Sequence, residues 1–147
     1  MRRAIFVALG TGAFITSAAA ISIGAGSTAP SQSLTRQEYE ASTAALERAR
    51  GLALARCESL AGYDRDVCRT ETAAAASVRA AEIEEQYRRT QQSARALQRA
   101  RIDARYQLDR TRCGAMGGFK RDKCLIQAHA ARGRAMLDAA APYEVRF

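Results

Sequence analysis

The sequence has few of the groups that carry chemistry. It holds one histidine, His129, whose i±3 and i±4 positions offer no acidic or second histidine neighbour. There is no Cys-x-x-Cys and no Cys-x-x-Cys-His, which argues against a zinc or haem site. Nucleophile elbows and phosphate-binding glycine loops are missing too. These absences predict a chain with no catalytic residues, no metal and no cofactor, and so not an enzyme. Large aliphatic side chains are also scarce: from Ile21 onward, Leu, Ile, Val and Phe fill 19 of 127 positions. Alanine is abundant instead; it favours helix but buries little area. A core this lean needs staples.

The staples are present. Cys57-Glu58-Ser59-Leu60-Ala61-Gly62-Tyr63-Asp64-Arg65-Asp66-Val67-Cys68 returns 56 residues later as Cys113-Gly114-Ala115-Met116-Gly117-Gly118-Phe119-Lys120-Arg121-Asp122-Lys123-Cys124. Both cysteines, a glycine, an aromatic, an arginine and an aspartate recur in register. All four cysteines of the chain are used. Two residues eleven apart on a straight helix lie ~16.5 Å apart along its axis. A disulfide needs Cα atoms within roughly 4.4–6.8 Å. If each pair closes on itself, the chain must turn back between its cysteines. Gly62 in the first copy, and Gly114, Gly117 and Gly118 in the second, supply the turn, since glycine takes the left-handed conformation without steric cost. Asp64, Asp66 and Asp122 can then cap, or enter the first turn of, the next helix. Four cysteines allow three connectivities, and sequence does not choose among them. The rival is the cross-paired twin Cys-x9-Cys pattern of small mitochondrial helical hairpins. Here the spacing is ten, and the glycines fall where that pattern needs unbroken helix. Local pairing, Cys57 with Cys68 and Cys113 with Cys124, is the expectation.

The N-terminus reads as an export signal: Met1-Arg2-Arg3, an apolar run from Ala4 to Ile15, then Ser17-Ala18-Ala19-Ala20. Cleavage after Ala20 is expected, with an uncleaved anchor as the alternative. Both place the body of the chain, periplasmic or secreted, where disulfides persist. The predicted organisation is a signal peptide (1–20), a flexible leader (21–33), one helical domain of two ~56-residue repeats (34–141), and a tail (142–147).

Charge divides unevenly. Residues 36–87 carry seven Lys/Arg and ten Asp/Glu, whereas residues 88–147 carry fourteen and five. The steepest stretch holds Arg88, Arg89, Arg95, Arg99, Arg101, Arg105, Arg110 and Arg112. One reading makes these solvated helix surface, helped by the i,i+4 pairs Glu84–Arg88 and Glu85–Arg89. The other makes Arg88, Arg89, Arg95, Arg99 and Arg105 part of a basic face for an anionic envelope surface. Nucleic acid is disfavoured: no aromatic stacking platform or binding motif accompanies the arginines.

The apolar periodicity is helical throughout. Tyr39, Leu46, Ala49, Ala53 and Leu60 form a first seam. Between Asp66 and Arg112 no Gly or Pro occurs, and a seam from Ala76 through Ile83 and Tyr87 to Leu97, Ala104 and Leu108 stays in phase. It predicts one central helix of ~70 Å, with a break at Thr90–Ser93 as the alternative and Ser93 as its N-cap. A last seam runs through Ile126, Ala130, Gly133, Leu137 and Ala140. The fold class is therefore all-α: two disulfide-tipped helical hairpins sharing a long central helix, or, with the break, a compact four-helix bundle with both disulfides at one end.

Gly62…Arg65-Asp66-Val67-Cys68 and Gly118…Arg121-Asp122-Lys123-Cys124 carry a resemblance. Over residues ~34–140 the chain resembles exported, alanine-rich helical proteins of proteobacteria that bear repeated Cys-x10-Cys units. The resemblance implies an envelope location and assigns no activity. The expected function is a non-enzymatic structural or interaction role in the cell envelope. Two alternatives stand beside it: an anion-binding protein docking through a basic helix face, and a thiol–disulfide redox protein. An envelope protein or an anionic envelope surface is the expected partner.

Overall fold

The computed structural model describes residues 33–140, and these are all-α. The signal peptide, all but the last residue of the 21–33 leader, and the 142–147 tail lie outside the described residues. Four helices follow in order: α1 (Arg36–Cys57), α2 (Gly62–Arg88), α3 (Gln91–Cys113) and α4 (Gly118–Ala140).

Helix α1 starts at a capping box. Thr35 Oγ1 accepts the Glu38 backbone N–H, while the Glu38 carboxylate accepts the Thr35 N–H. The Thr-x-x-Glu spacing satisfies two donors that a helix start leaves without partners. Both disulfide turns leave the preceding helix identically. Glu58, Ser59 and Leu60 donate to the carbonyls three residues back, as do Gly114, Ala115 and Met116. Those short bonds tighten the last turn and satisfy its terminal carbonyls. Gly62 (φ 53°) and Gly118 (φ 52°) then redirect the chain in the left-handed region and open α2 and α4.

The expected long central helix is not formed. It breaks at Arg89, which takes a left-handed conformation (φ 47°, ψ 41°), and Thr90 caps α3. A non-glycine residue there costs about 1–2 kcal/mol. The break returns a second capping box, with Thr90 and Ser93 bonded reciprocally, and that cap contributes about 1 kcal/mol. Ser93 thus occupies the third helical position rather than the cap. The larger return is packing, because reversal lets α2 bury one side against α1 and another against α3.

Each helix runs antiparallel to the one before it. Tyr39 near the start of α1 stacks on Tyr87 near the end of α2 at 4.5 Å. Thr70 meets Thr111 at 3.1 Å, and Arg101 reaches Glu82 at 3.1 Å, joining α2 to α3. Tyr106 and Arg132 join α3 to α4 through His129 and Asp103. The helices pack strictly in chain order; among the described residues α1 and α4 do not touch. The two disulfide turns consequently lie side by side at one end of the array, not at opposite ends of a rod.

The core is thin. Cys57, Cys113, Ile83, Ala74, Ala104 and Ala128 are its buried apolar residues, joined by Ser93. Ile83, 2 % exposed, is the one bulky aliphatic among them. Alanines at the crossings let the backbones approach closely, so sulfur and methyl groups occupy the space that leucines fill elsewhere.

Candidate functional site

Residues from both repeats converge at the stapled end. The cysteines pair as expected, Cys57 with Cys68 and Cys113 with Cys124, at Cα separations of 5.6 and 5.7 Å. Cys57 and Cys113 are wholly buried. Glu58 beside the first disulfide forms a two-pronged ion pair with Arg69, tying the turn to the helix that follows. Asp64 sits in the first turn of α2. Asp66 and Asp122 fall further into α2 and α4, and neither caps a helix.

Tyr63 bridges the two turns. Its hydroxyl donates to the Arg112 carbonyl at 3.3 Å, and a Cβ built on Gly114 would lie 3.7 Å from its ring. That is an ordinary contact; what requires glycine at 114 is the tight turn itself, where a Cβ would come within 2.9 Å of the Thr111 carbonyl oxygen. The tyrosine's counterpart Phe119 makes no such bridge and stands 81 % exposed. Between the turns opens a polar cleft of about 610 Å³, lined by Tyr63, Asp66, Thr70, Arg110, Thr111 and Arg121 among others. Leu60, Tyr63, Met116 and Phe119 are exposed around this end. An apolar surface with basic neighbours suits association better than bond-breaking chemistry.

The arginines of 88–112 do not form one face. Arg88 pairs with Glu84, Arg101 with Glu82, and Arg105 with Asp109, which Arg112 also approaches at 3.8 Å. Arg89 occupies the turn between α2 and α3. Arg95, Arg99 and Arg110 stay exposed and outside ion pairs among the described residues. The pairs with Arg101 and Arg79 hold the Glu82 carboxyl below the usual glutamate range. Tyr39 and Arg88 do the same for Glu84, and the Tyr39 phenol is pushed up in return. Arg101 thus joins α3 to α2, and Arg88, Arg105 and Arg112 brace their own helices.

His129 has a partner that sequence spacing could not show. Its Nε2 lies 2.9 Å from the Tyr106 hydroxyl across the α3–α4 interface. Arg132 stacks 5.2 Å from the Tyr106 ring centroid and donates to Asp103 at 2.7 Å. An adjacent groove of about 330 Å³ is lined by Ile102, Tyr106, Asp109, Ala128 and Arg132 among others. The cluster is a set of interhelix contacts, with each polar group spent on its neighbour. Among the described residues no group of three or more His, Cys, Asp or Glu could hold a metal ion.

Helix α4 is not oriented as its pattern suggested. Leu125, Ala128, Arg132, Ala135 and Ala139 face α3, whereas Ile126, Ala130, Gly133, Leu137 and Ala140 are exposed. The outer stripe thus leaves two large aliphatic residues, Ile126 and Leu137, in solvent. No protein-family model, curated protein or solved structure matches this chain.

Proposed function

We propose that this chain is an exported, non-enzymatic helical protein of the cell envelope, built to hold an association surface rather than to catalyse. Structural disulfides fit an oxidising, extracytoplasmic compartment, and among the described residues no helix is long and apolar enough to cross a membrane. The observation that carries the reading is the convergence of two stapled turns at one end, with Leu60, Tyr63, Met116 and Phe119 exposed there. A thin-cored array that devotes both crosslinks to fixing one end behaves as a scaffold for that end. Cys57 and Cys113 are buried and Cys68 and Cys124 half-buried, and the wide Cys-x10-Cys spacing is unlike the Cys-x-x-Cys of reactive pairs; both weigh against thiol–disulfide exchange. The i,i+4 and interhelix pairing of Arg88, Arg101 and Arg105 weighs against docking through the 88–112 stretch.

Cell fractionation with thiol alkylation tests the proposal. The expected result is recovery in the periplasmic fraction, shortened by about twenty residues at its N-terminus, with all four cysteines resistant to alkylation until reduced. Cytosolic recovery with freely alkylated thiols would refute it.

A further inference from the structure

The outer face of α4 is unlike the rest of the surface. Phe119, Ile126 and Leu137 are 81, 68 and 73 % exposed, and they are the most exposed large apolar residues described. Leu52, on α1, is the only other one above half. Their separations of seven and eleven residues bring all three within ~20° around the helix. Ala130 and Gly133 lie on the same line, and nothing approaches within 4 Å of a Cβ built on Gly133. The line extends for ~27 Å along α4.

One flank of this line is cationic. Lys120, Lys123 and Arg134 are all exposed on that side, and none forms an ion pair among the described residues. Asp122 stands on the opposite flank, and the exposed Asp138 shares the cationic one, one turn beyond Arg134, leaving that flank net basic by two charges. Helix α4 as a whole carries five Lys/Arg and two Asp/Glu; one of those cations, Arg132, is committed to Asp103 on the packed side.

The charges select the occupant. A second copy laid antiparallel on this line would set Lys123 against Arg134 of the other chain and Lys120 against its Asp138, so repulsion offsets attraction and the net-basic flank gains nothing from it. An anionic polysaccharide would meet the lysines but offer no apolar phase for Phe119, Ile126 and Leu137. An anionic bilayer supplies both, taking a shallow apolar stripe at the acyl boundary while its headgroups meet the basic flank.

We infer that α4 is an interfacial helix, which seats the protein on anionic lipid through Phe119, Ile126 and Leu137 flanked by Lys120, Lys123 and Arg134. The inference deepens the envelope reading above and depends on it, since the exported chain must meet a lipid surface.

The test is co-sedimentation of the processed, oxidised chain with phosphatidylglycerol-containing vesicles and with pure phosphatidylcholine vesicles. Binding is expected to the first, far less to the second, and to weaken as salt rises from ~0.05 to ~0.5 M. Lys123→Glu with Arg134→Glu should lower partitioning at least ~25-fold, at about fivefold per cation removed. Ile126→Gln with Leu137→Gln should lower it ~10-fold or more. Both variants change exposed positions, and circular dichroism should find them fully helical. Arg95→Glu with Arg99→Glu, on α3, should bind within about threefold of the parent.

Equal binding to neutral vesicles would overturn the inference, as would indifference to the α4 changes. A parent dimer that the Ile126/Leu137 variant converts to monomer would also overturn it, by giving the face to a second copy. Vesicle binding can fail while fractionation still finds the oxidised chain in the periplasm. In that case only the lipid assignment falls and the envelope reading stands.

Discussion

Removing one staple tests the idea that crosslinks substitute for a core. The perturbation is Cys57→Ser with Cys68→Ser, leaving Cys113–Cys124 intact. Serine suits the buried position: Cys57 Sγ lies 3.4 Å from the Ala53 carbonyl and 3.7 Å from Thr72 Oγ1. A hydroxyl there finds partners, so the substitution isolates loss of the crosslink from loss of a buried polar contact. The sequence separation is 11 residues, and closing so short a loop is worth ~3 kcal/mol in the chain-entropy treatment. For a domain of this size each kcal/mol moves Tm by roughly 4–8 °C, so the variant should melt about 12–24 °C lower. Losing both staples removes ~6 kcal/mol, comparable to the whole stability of many domains; the reduced chain should be largely unfolded at 37 °C. Far-UV circular dichroism melts of parent, single-staple and fully reduced chains supply the reading. A Tm drop under ~5 °C for one missing staple would refute the reasoning, because α1 and α2 would then be held by packing alone.

Three further outcomes follow from individual contacts. Ile83→Ala empties the one bulky aliphatic site in the core and should cost ~2–4 kcal/mol, seen as a lower urea midpoint at unchanged slope. Thr90→Ala removes the side chain that caps α3 at the reversal and should cost ~1 kcal/mol in the same assay. The carboxyls of Glu82 and Glu84 are held below the usual range by their hydrogen-bond partners. Their folded-state pKa values are lowered, so their stabilisation is complete above the ordinary glutamate value of ~4.3 and is lost as pH falls through the lowered values. Tm should therefore hold between pH ~5 and ~7 and decline below ~4, with a shallower decline in Glu82→Gln.

The parts of this fold readable in advance were those fixed by covalent geometry. Once Cys57 pairs with Cys68, eleven positions away, the chain must reverse between them, and Gly62 marks where it does. The reversal at Arg89 was harder to read, because Arg89 is neither glycine nor proline and the apolar seam runs through it in phase. Its signal was Thr90 followed three residues later by Ser93, a weak capping box beside the Thr35–Glu38 one that opens α1. The inner face of α4 was misplaced for a different reason. Two apolar seams run along α4, one through Ile126 and Leu137 and one through Leu125 and Ala128, and periodicity alone did not choose between them; the second is the one that packs on α3. The contact between Tyr106 and His129 spans 23 residues and two helices, a distance that no local spacing rule covers.

Packing in strict chain order makes the two outer helices unequal. Each is tethered to its neighbour at the stapled end, so each can open only from its far end, like a clasp knife. The far end of α1 is latched: the Leu34 N–H donates to the Gln86 carbonyl, and Tyr39 lies on Tyr87. Beyond Arg132, α4 has no such latch among the described residues, whose last polar links from α4 to α3 are those of His129 and Arg132. Its C-terminal turns therefore form the lowest-energy opening of the described chain, and their amides should exchange with solvent well before those of α1. Because the crosslink keeps the opened helix within a short arc, closing again is a local search rather than a refolding event.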